Sequence, residues 1–280
     1  MDYTAEVAIA VRKTAREALQ VALAKLSHPL ALTPNHDTVV IKPSIYDPDM
    51  VGNTTLEMAR AVVNLFHGAA KTYVVESDNP IRTAETAFEK TRYTALKENG
   101  AELLNLTSSS CISHHMAGHY FKEHLMPTIL TANHFLVNLA TLKAEPSICV
   151  MGAGIKNLFG LLPEANKNDY HSKIDAVLLD LLKAFKPDLT IIDLTKLVVG
   201  SRENGIIRHI GGVVAGMDPV AVDAFCADLL GMDAMKISHL KLASEAGLGE
   251  ALTDRIRVLG TEHQKNELNR LVGNSKCRTQ

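Results

Sequence analysis

Short β-branched runs alternate with helical patterns between residues 38 and 106, and this alternation constrains the fold more than any other feature. The runs at 38–41, 71–76 and 101–106 have the length and composition of buried strands, whereas 56–67 and 83–98 have helical spacing and capping residues. Strands and helices in this order place neighbouring strands parallel, with helices covering the sheet. The sequence therefore predicts an α/β fold, with a mostly parallel, twisted sheet and helices on both faces.

Length, composition and charge limit the number of domains and the classes of binding partner. The 280 residues, 46% hydrophobic and 21% charged, are consistent with one α/β domain over residues 1–280. A formal net charge of -2, with acidic and basic residues interspersed, predicts neither a nucleic-acid nor a membrane partner. No apolar stretch reaches the length of a membrane span, and the four cysteines form no C-x-x-C pair. We therefore expect a cytoplasmic location and no ferredoxin-like cluster within these residues.

The segment 107–132 interrupts the strand–helix alternation and is predicted to be a small His-rich insertion. Its centre, CISHHMAGHYFKEH, holds four of the twelve histidines. If this segment is helical, His115 and His119 share one face at i,i+4 spacing, with Glu123 one turn further, and such a set would ligate a metal ion. The alternative is a solvated, polar excursion over the sheet. The sequence leaves both interpretations open.

A second motif, GIKNLFG at residues 154–160, follows the apolar run 147–151. Lys156 supplies a positive charge, Asn157 both donates and accepts hydrogen bonds, and glycine lets the backbone approach a ligand closely. Turns that follow strands are where open α/β sheets bind their ligands. The motif therefore predicts a site for an anionic or oxygen-rich small molecule. The alternative is a surface turn in which Asn157 caps the following helix.

Three lysines stand at or just beyond the ends of apolar runs, namely Lys42, Lys143 and Lys156. Since the carboxyl ends of parallel strands share one edge of a sheet, we expect these lysines to converge. The result would be a pocket for a carboxylate- or phosphate-bearing metabolite, with Ser44 and Asn157 as further contacts. The alternative for each lysine is a structural ion pair with a buried carboxylate such as Asp193 or Asp223.

Three other residues are candidates for proton transfer or for capping. His171 precedes an amphipathic helix and its imidazole titrates near neutrality, so it is a general acid or base, or else a capping or surface histidine. Asp218 precedes Pro219, which favours a helix N-cap, and it is also a candidate ligand contact. Asp223 lies one turn further on an apolar helix, where a carboxylate needs a partner such as a lysine. Our catalytic candidates are Lys156 as base or nucleophile and His171 or Asp223 for proton transfer.

Several motifs occur together in one order: VVIKP at 39–43, LK at 142–143, GIKNLFG at 154–160, YH at 170–171, AGMDPVAVDAF at 215–225, LLGMD at 229–233 and GLG at 247–249. In these motifs the chain resembles the domain of unknown function 362 family, from residue 7 to about residue 260. The resemblance implies kinship but no particular reaction. Many members look like iron–sulfur proteins because a ferredoxin-type cysteine module is attached to the shared domain, and no such module is found in these 280 residues.

Two segments depart from the family pattern. Ala144 and Glu145 follow the LK motif where relatives commonly carry Thr-His, and the loop at 200–205 replaces a glycine- and proline-rich loop. Substrates or partners of other members therefore do not transfer directly to this chain.

The sequence supports three functional hypotheses. The first is a protein that binds or acts on an anionic small molecule in the lysine-rich pocket. The second is a metal-binding or redox-associated protein that uses the His-rich segment, and the third is a subunit that binds a ligand without turning it over. The sequence identifies no cofactor, and it leaves open both a homo-oligomer and a redox partner.

Overall fold

A computed structural model of the protein describes residues 4–27, 38–116, 118–145, 149–199 and 206–273, so the loop at 200–205 and the start of the run at 147–151 lie outside it. The strands are β1 (Ala5–Val11), β2 (Thr38–Pro43), β3 (Lys71–Glu76), β4 (Ala101–Asn105), β5 (Cys111–His115), β6 (Glu123–Pro127), β7 (Phe135–Glu145), β8 (Cys149–Gly152), β9 (Leu189–Val199), β10 (Ile206–Gly216) and β11 (Ile256–Leu259). The α-helices are α1 (Ala15–Leu23), α2 (Leu56–Leu65), α3 (Ala84–Lys90), α4 (Thr128–Thr131), α5 (Gly154–Asn157), α6 (Ile174–Ala184), α7 (Pro219–Leu229), α8 (Ser238–Glu245) and α9 (Glu262–Gly273). Short 3-10 helices occupy Tyr93–Asn99, Leu158–Leu161, Asn168–Lys173, Ala234–Lys236 and Thr253–Arg255.

One nine-stranded sheet runs through the molecule in the order β11-β1-β10-β9-β7-β2-β3-β4, with β8 paired to β7 beside this path. β2 is parallel to β3 and β7, β3 to β4, β7 to β9 and β1 to β11. β10 is antiparallel to β1 and β9, and β8 is antiparallel to β7. The predicted α/β fold with a mostly parallel sheet is confirmed. None of the helices in the described ranges is both long and apolar enough to cross a membrane.

Helices cover both faces of the sheet because successive strand residues point to opposite sides. In β2, Val39 and Ile41 belong to the apolar core that contains the buried residues of α1, α2 and α3. Val40, which lies between them, belongs to the core on the other face, together with residues of α5 to α9. Loops from both faces therefore meet at the C-terminal ends of the central strands.

The capping pattern predicted at the start of α2 is present, and a buried carboxylate reinforces it. Thr55 is the N-cap, and its Oγ1 accepts a hydrogen bond from the N–H of Met58 at 3.2 Å. Thr55 also donates its N–H and its hydroxyl to Asp193 Oδ2, at 2.9 and 2.8 Å. Asp193, a candidate partner for a lysine, thus receives hydrogen bonds from a threonine instead.

The helix predicted at 83–98 is divided into two parts. α3 ends at Lys90, and Arg92 adopts a left-handed conformation with φ of 63°, after which a 3-10 helix begins at Tyr93. A continuous α-helix cannot include a left-handed residue. The break is accompanied by burial of Tyr93, whose side chain is fully inside and whose hydroxyl donates to Thr54 O at 2.9 Å.

The His-rich segment forms a β-hairpin, so the helix face predicted for His115 and His119 does not form. β5 and β6 pair antiparallel, with His115 opposite Glu123, and His119 lies in the loop between the two strands. Within the described ranges, no three His, Cys, Asp or Glu side chains come together as a group that could hold a metal ion. The metal-binding hypothesis therefore loses the geometry on which it was based.

Asp180 of α6 holds the loop of this hairpin. Its side chain is fully buried, and the carboxylate accepts hydrogen bonds from the N–H groups of His119, Tyr120 and Phe121 at 2.7, 2.7 and 2.8 Å. Gly118 has no room for a side chain, because a Cβ there would lie 2.2 Å from Asp180 Cγ. These amides bond to a carboxylate rather than to carbonyls four residues earlier, which is the physical reason that the segment is not helical.

Replacing Asp180 with alanine is expected to lower the free energy of unfolding by about 3 kcal/mol or more, because three amides lose a charged acceptor. Urea denaturation followed by circular dichroism measures this change. Asp228→Ala, at an exposed position of α7, is the matched control and is expected to alter stability by no more than about 0.5 kcal/mol. Equal stability of the two variants would contradict the role given to Asp180.

Candidate functional site

A cavity of about 670 Å³ opens at the C-terminal ends of β2, β3 and β7. Six of the predicted site residues line it: Lys42, Ser44, Lys143, Lys156, Asn157 and His171. The lining also contains residues that were not predicted, among them Glu76, Ser77, Asp78, Arg82 and Lys167. The structure thus brings the strand-end lysines together, while ligand binding at this place stays a prediction.

Positive charge exceeds negative charge in the cavity lining. Its cations are Lys42, Arg82, Lys143, Lys156 and Lys167, and its carboxylates are Asp47, Glu76 and Asp78. The carboxylate of Asp78 is already engaged, since Oδ1 accepts hydrogen bonds from the N–H of Ala84 at 2.8 Å and from Asn105 Nδ2 at 2.9 Å. A concave surface with this charge balance attracts anions.

Lys42 and Glu76 form a buried ion pair at the ends of the neighbouring strands β2 and β3. Their side chains are 2% and 3% exposed, and Lys42 Nζ lies 2.9 Å from Glu76 Oε2. Lys42 also donates to Pro43 O at 2.6 Å, and Glu76 Oε1 accepts the N–H of Ser77 at 2.9 Å. Burial lowers the pKa of Lys42, and the Glu76 carboxylate opposes this shift. Lys42 is therefore paired with a carboxylate, as the structural alternative predicted, but the partner is Glu76 rather than Asp193 or Asp223.

Arg82 ties together the loops that follow β2 and β3. Its Nε donates to Tyr46 O at 3.0 Å, and its two terminal nitrogens donate to the carbonyls of Ser77 and Ile45. All three carbonyls belong to residues of the cavity lining, so Arg82 fixes the distance between the two loops. In the sequence, a single arginine in a polar loop belongs to no motif, which is why its role was not predicted.

Lys167 is a buried lysine of the cavity, like Lys42 and Lys143, with 7% of its surface exposed. Its Nζ donates to Ser77 Oγ at 3.0 Å and to Asp78 O at 2.9 Å. Burial is the main cause that lowers the pKa of Lys167 to about 8, while the Glu76 carboxylate raises it and the Lys42 ammonium lowers it further. The sequence shows Lys167 only as part of a polar turn, so no signal in the sequence marks it.

Lys143, Lys156 and His171 also belong to the lining. Lys143 Nζ donates to Ser44 Oγ at 3.0 Å, which joins two of the predicted ligand contacts. The ammonium of Lys156 lies 4.1 Å from the centroid of the Phe159 ring, a cation–π contact, and the His171 ring lies 5.1 Å from the same centroid. Burial and then the Lys156 charge lower the pKa of His171, so the neutral imidazole predominates at neutral pH.

Asn157 is a structural link rather than a helix cap. Its Nδ2 donates to Lys42 O at 3.0 Å and to Asn138 Oδ1 at 2.8 Å, and Asn138 Nδ2 donates in turn to Gly154 O at 2.8 Å. The GIKNLFG turn is thereby attached to the end of β2 and to Asn138 within β7.

A family model described as "Domain of unknown function (DUF362)" matches residues 39–228 of the chain, which is more than half of its length. The chain belongs to the DUF362 family. A search among curated proteins found no match. The matched region runs from β2 to α7 and contains every residue that lines the cavity. The cavity is therefore built entirely from the DUF362 region, whereas β1 and β11 lie outside it.

The glycines of the GIKNLFG motif serve close packing in this DUF362 chain. A Cβ at Gly154 would lie 2.8 Å from Asp223 Oδ1 and from Thr190 Cγ2, and a Cβ at Gly160 would lie 2.7 Å from Lys42 Cε. The sequence suggested that these glycines allow a ligand to approach the backbone. Their observed neighbours are side chains of the protein itself.

Asp223 and Asp218 hold backbone amides and lie outside the cavity. Asp223 is fully buried and accepts hydrogen bonds from the N–H groups of Gly154 and Ile155 at 2.7 and 2.8 Å, so amides, rather than a lysine, are its partners. Asp218 is the N-cap of α7, as its position before a proline predicted, and its Oδ2 also accepts the N–H of Glu250 at 2.9 Å. Neither residue is placed to contact a molecule in the cavity.

The hairpin is connected to one wall of the cavity through Glu164. Glu164 Oε1 lies 2.6 Å from His124 Nε2 on β6 and accepts the hydroxyl of Tyr170 at 3.1 Å. Tyr170 immediately precedes His171 of the cavity lining. Through Glu164 and Tyr170, the His-rich segment of this DUF362 chain is thus in contact with the segment that carries His171.

Gly160→Ala is expected to lower the free energy of unfolding by about 1–3 kcal/mol, because the new methyl group overlaps Lys42 Cε beside a buried ion pair. Thermal and urea denaturation measure the loss. Gly68→Ala is the matched control, since a Cβ at Gly68 meets no atom within 4 Å. A Gly160→Ala protein as stable as the Gly68→Ala protein would contradict this packing.

Burial raises the pKa of Asp223 from 3.8 to about 6, so the folded protein binds this proton more tightly than the unfolded chain does. The resulting stabilisation is fully present below about pH 4 and is lost as the pH rises through about 6. Relative to Asp223→Asn, which does not titrate, the wild-type free energy of unfolding should fall by about 2 kcal/mol between about pH 4 and about pH 7. Urea denaturation of both proteins over this range tests it, and a difference independent of pH would refute it.

Proposed function

We propose that this DUF362 protein binds a small anionic molecule, carrying a carboxylate or a phosphate, in the cavity at the ends of β2, β3 and β7. The observation that carries the proposal is the surplus of cations in the lining: five cations stand against three carboxylates. Of these carboxylates, Glu76 is paired with Lys42 and Asp78 is hydrogen-bonded to Ala84 and Asn105. A bound anion would balance the positive charge that the carboxylates of the lining leave uncompensated.

The shape and the chemistry of the lining also support a small ligand. A volume of about 670 Å³ lies within the range of small-molecule sites. Lysine ammonium groups, the Ser44 hydroxyl and the His171 imidazole offer donors to the oxygens of a carboxylate or phosphate. These groups come from different strands and loops, so a ligand that contacts several of them is held in one orientation.

Turnover is a separate question from binding. A subunit that binds an anion without changing it needs only the cations, whereas an enzyme also needs a group that reacts or transfers protons. Of our three sequence-based candidates for that role, Lys156 and His171 line the cavity and Asp223 does not. The proposed location is the cytoplasm, and this proposal is supported by Cys111 and Cys226, which are free thiols.

Replacing Lys156 with alanine is expected to weaken anion binding about tenfold, which corresponds to about 1.4 kcal/mol, because one cation of the lining is removed. Native mass spectrometry of untagged protein first identifies any co-purified anion. Thermal-shift and calorimetric titrations with small carboxylates, phosphate and phosphate monoesters then give the affinities, at two salt concentrations.

Lys236→Ala is the control for this experiment, because Lys236 is 83% exposed and lies outside the cavity lining. It removes the same charge from the chain but should leave affinity unchanged. Equal loss of affinity in both variants, or no binding of any anion by wild-type protein, would refute the proposed function.

A further inference from the structure

We propose that Lys167 is a nucleophilic residue that forms an imine with a carbonyl-bearing anion, such as a 2-oxo acid, held in the cavity. This inference rests on the proposed function, since the cations of the lining would hold the carboxylate of the same molecule. It adds the substrate class and the group that reacts with it.

The surroundings of Lys167 suit a reactive amine. The Nζ atom donates to two neutral oxygens, Ser77 Oγ at 3.0 Å and Asp78 O at 2.9 Å. Ser77 Oγ in turn donates to Gly160 O at 3.0 Å, so its lone pair is directed to the amine. Lys42, by contrast, faces the carboxylate of Glu76 at 2.9 Å, which stabilises its ammonium form. Of Lys42 and Lys167, Lys167 is therefore the one whose neutral form is tolerated.

The neutral amine keeps both hydrogen bonds. A primary amine has two N–H bonds, which suffice for Ser77 Oγ and Asp78 O, and its lone pair occupies the remaining tetrahedral position. With a pKa of about 8, Lys167 carries this lone pair in about one molecule in ten at neutral pH, a fraction a few hundredfold larger than for an ordinary lysine. Buried lysines with such properties serve as imine-forming nucleophiles.

The reaction is balanced without an oxidant or a reductant. The lone pair of Nζ forms the new N–C bond while the π pair of the carbonyl moves to its oxygen. That oxygen takes one proton from the nitrogen and a second from solvent, and it leaves as water when the nitrogen forms the C=N bond. One amine, one carbonyl compound and one proton thus give one iminium ion and one water molecule. The iminium withdraws electrons from the neighbouring carbon, which is the general use of lysine imines.

Reductive trapping tests the inference on the intact 280-residue chain. Wild-type protein is incubated with pyruvate or 2-oxoglutarate and sodium cyanoborohydride near pH 8, and the product is examined by intact mass and peptide mapping. The expected result is one reduced adduct per chain, located on Lys167. Lys167→Arg keeps the positive charge and should lose at least nine-tenths of the adduct, whereas Lys236→Ala should retain all of it.

The matching 2-hydroxy acids, lactate and 2-hydroxyglutarate, separate the two proposals. They carry the same charge but no carbonyl group, so they should bind and suppress trapping without forming an adduct. If anions bind but no adduct forms on Lys167, or if adducts spread over surface lysines equally in Lys167→Arg, the inference is overturned and the proposed function stands. If no anion binds at all, both are overturned.

Discussion

The buried ion pair between Lys42 and Glu76 is the contact on which the arrangement of the cavity depends. Two charges removed from water are costly unless each meets the other and their remaining hydrogen-bonding capacity is filled. Here Pro43 O and the N–H of Ser77 complete the pair. The pair joins the ends of two adjacent strands and sits beneath Gly160, where a larger residue would strike the lysine. The strand ends, the turn above them and the loop after β3 are consequently fixed as one unit.

Buried aspartates perform a related task elsewhere in the molecule. Asp223 accepts hydrogen bonds from the first two N–H groups of α5, and Asp180 accepts hydrogen bonds from three N–H groups of the hairpin loop. In each case the cost of burying a carboxylate is offset by charge-assisted hydrogen bonds to backbone N–H groups. In each case the neighbouring residue, Gly154 or Gly118, has to be glycine, because the Cβ of any other residue there would overlap the carboxylate. Irregular segments beside the sheet are therefore ordered by single side chains from helices.

The sequence allowed prediction of the features that depend on local pattern. Alternating strands and helices gave the sheet, and the positions of Lys42, Lys143 and Lys156 at the ends of apolar runs gave the convergence of charges, because parallel strands end at one edge. The hairpin could not be predicted from spacing, since it depends on Asp180, which lies far away in the chain. Lys167 could not be predicted either, because its lowered pKa comes from burial and its contacts are two oxygens on the loop after β3.

The side-chain hydrogen bonds of Arg82 go to main-chain carbonyls of the cavity lining, and so they fix its backbone rather than its side chains. Arg82 binds the main-chain carbonyls of Ile45, Tyr46 and Ser77, so the geometry it imposes is independent of the side chain carried at position 46. Tyr46 and Ile81 both line the cavity, and they are 47% and 54% exposed to solvent. Divergence within a family can therefore exchange these two side chains, and with them the selectivity of the proposed anion site, while the backbone around the charged interior keeps its shape.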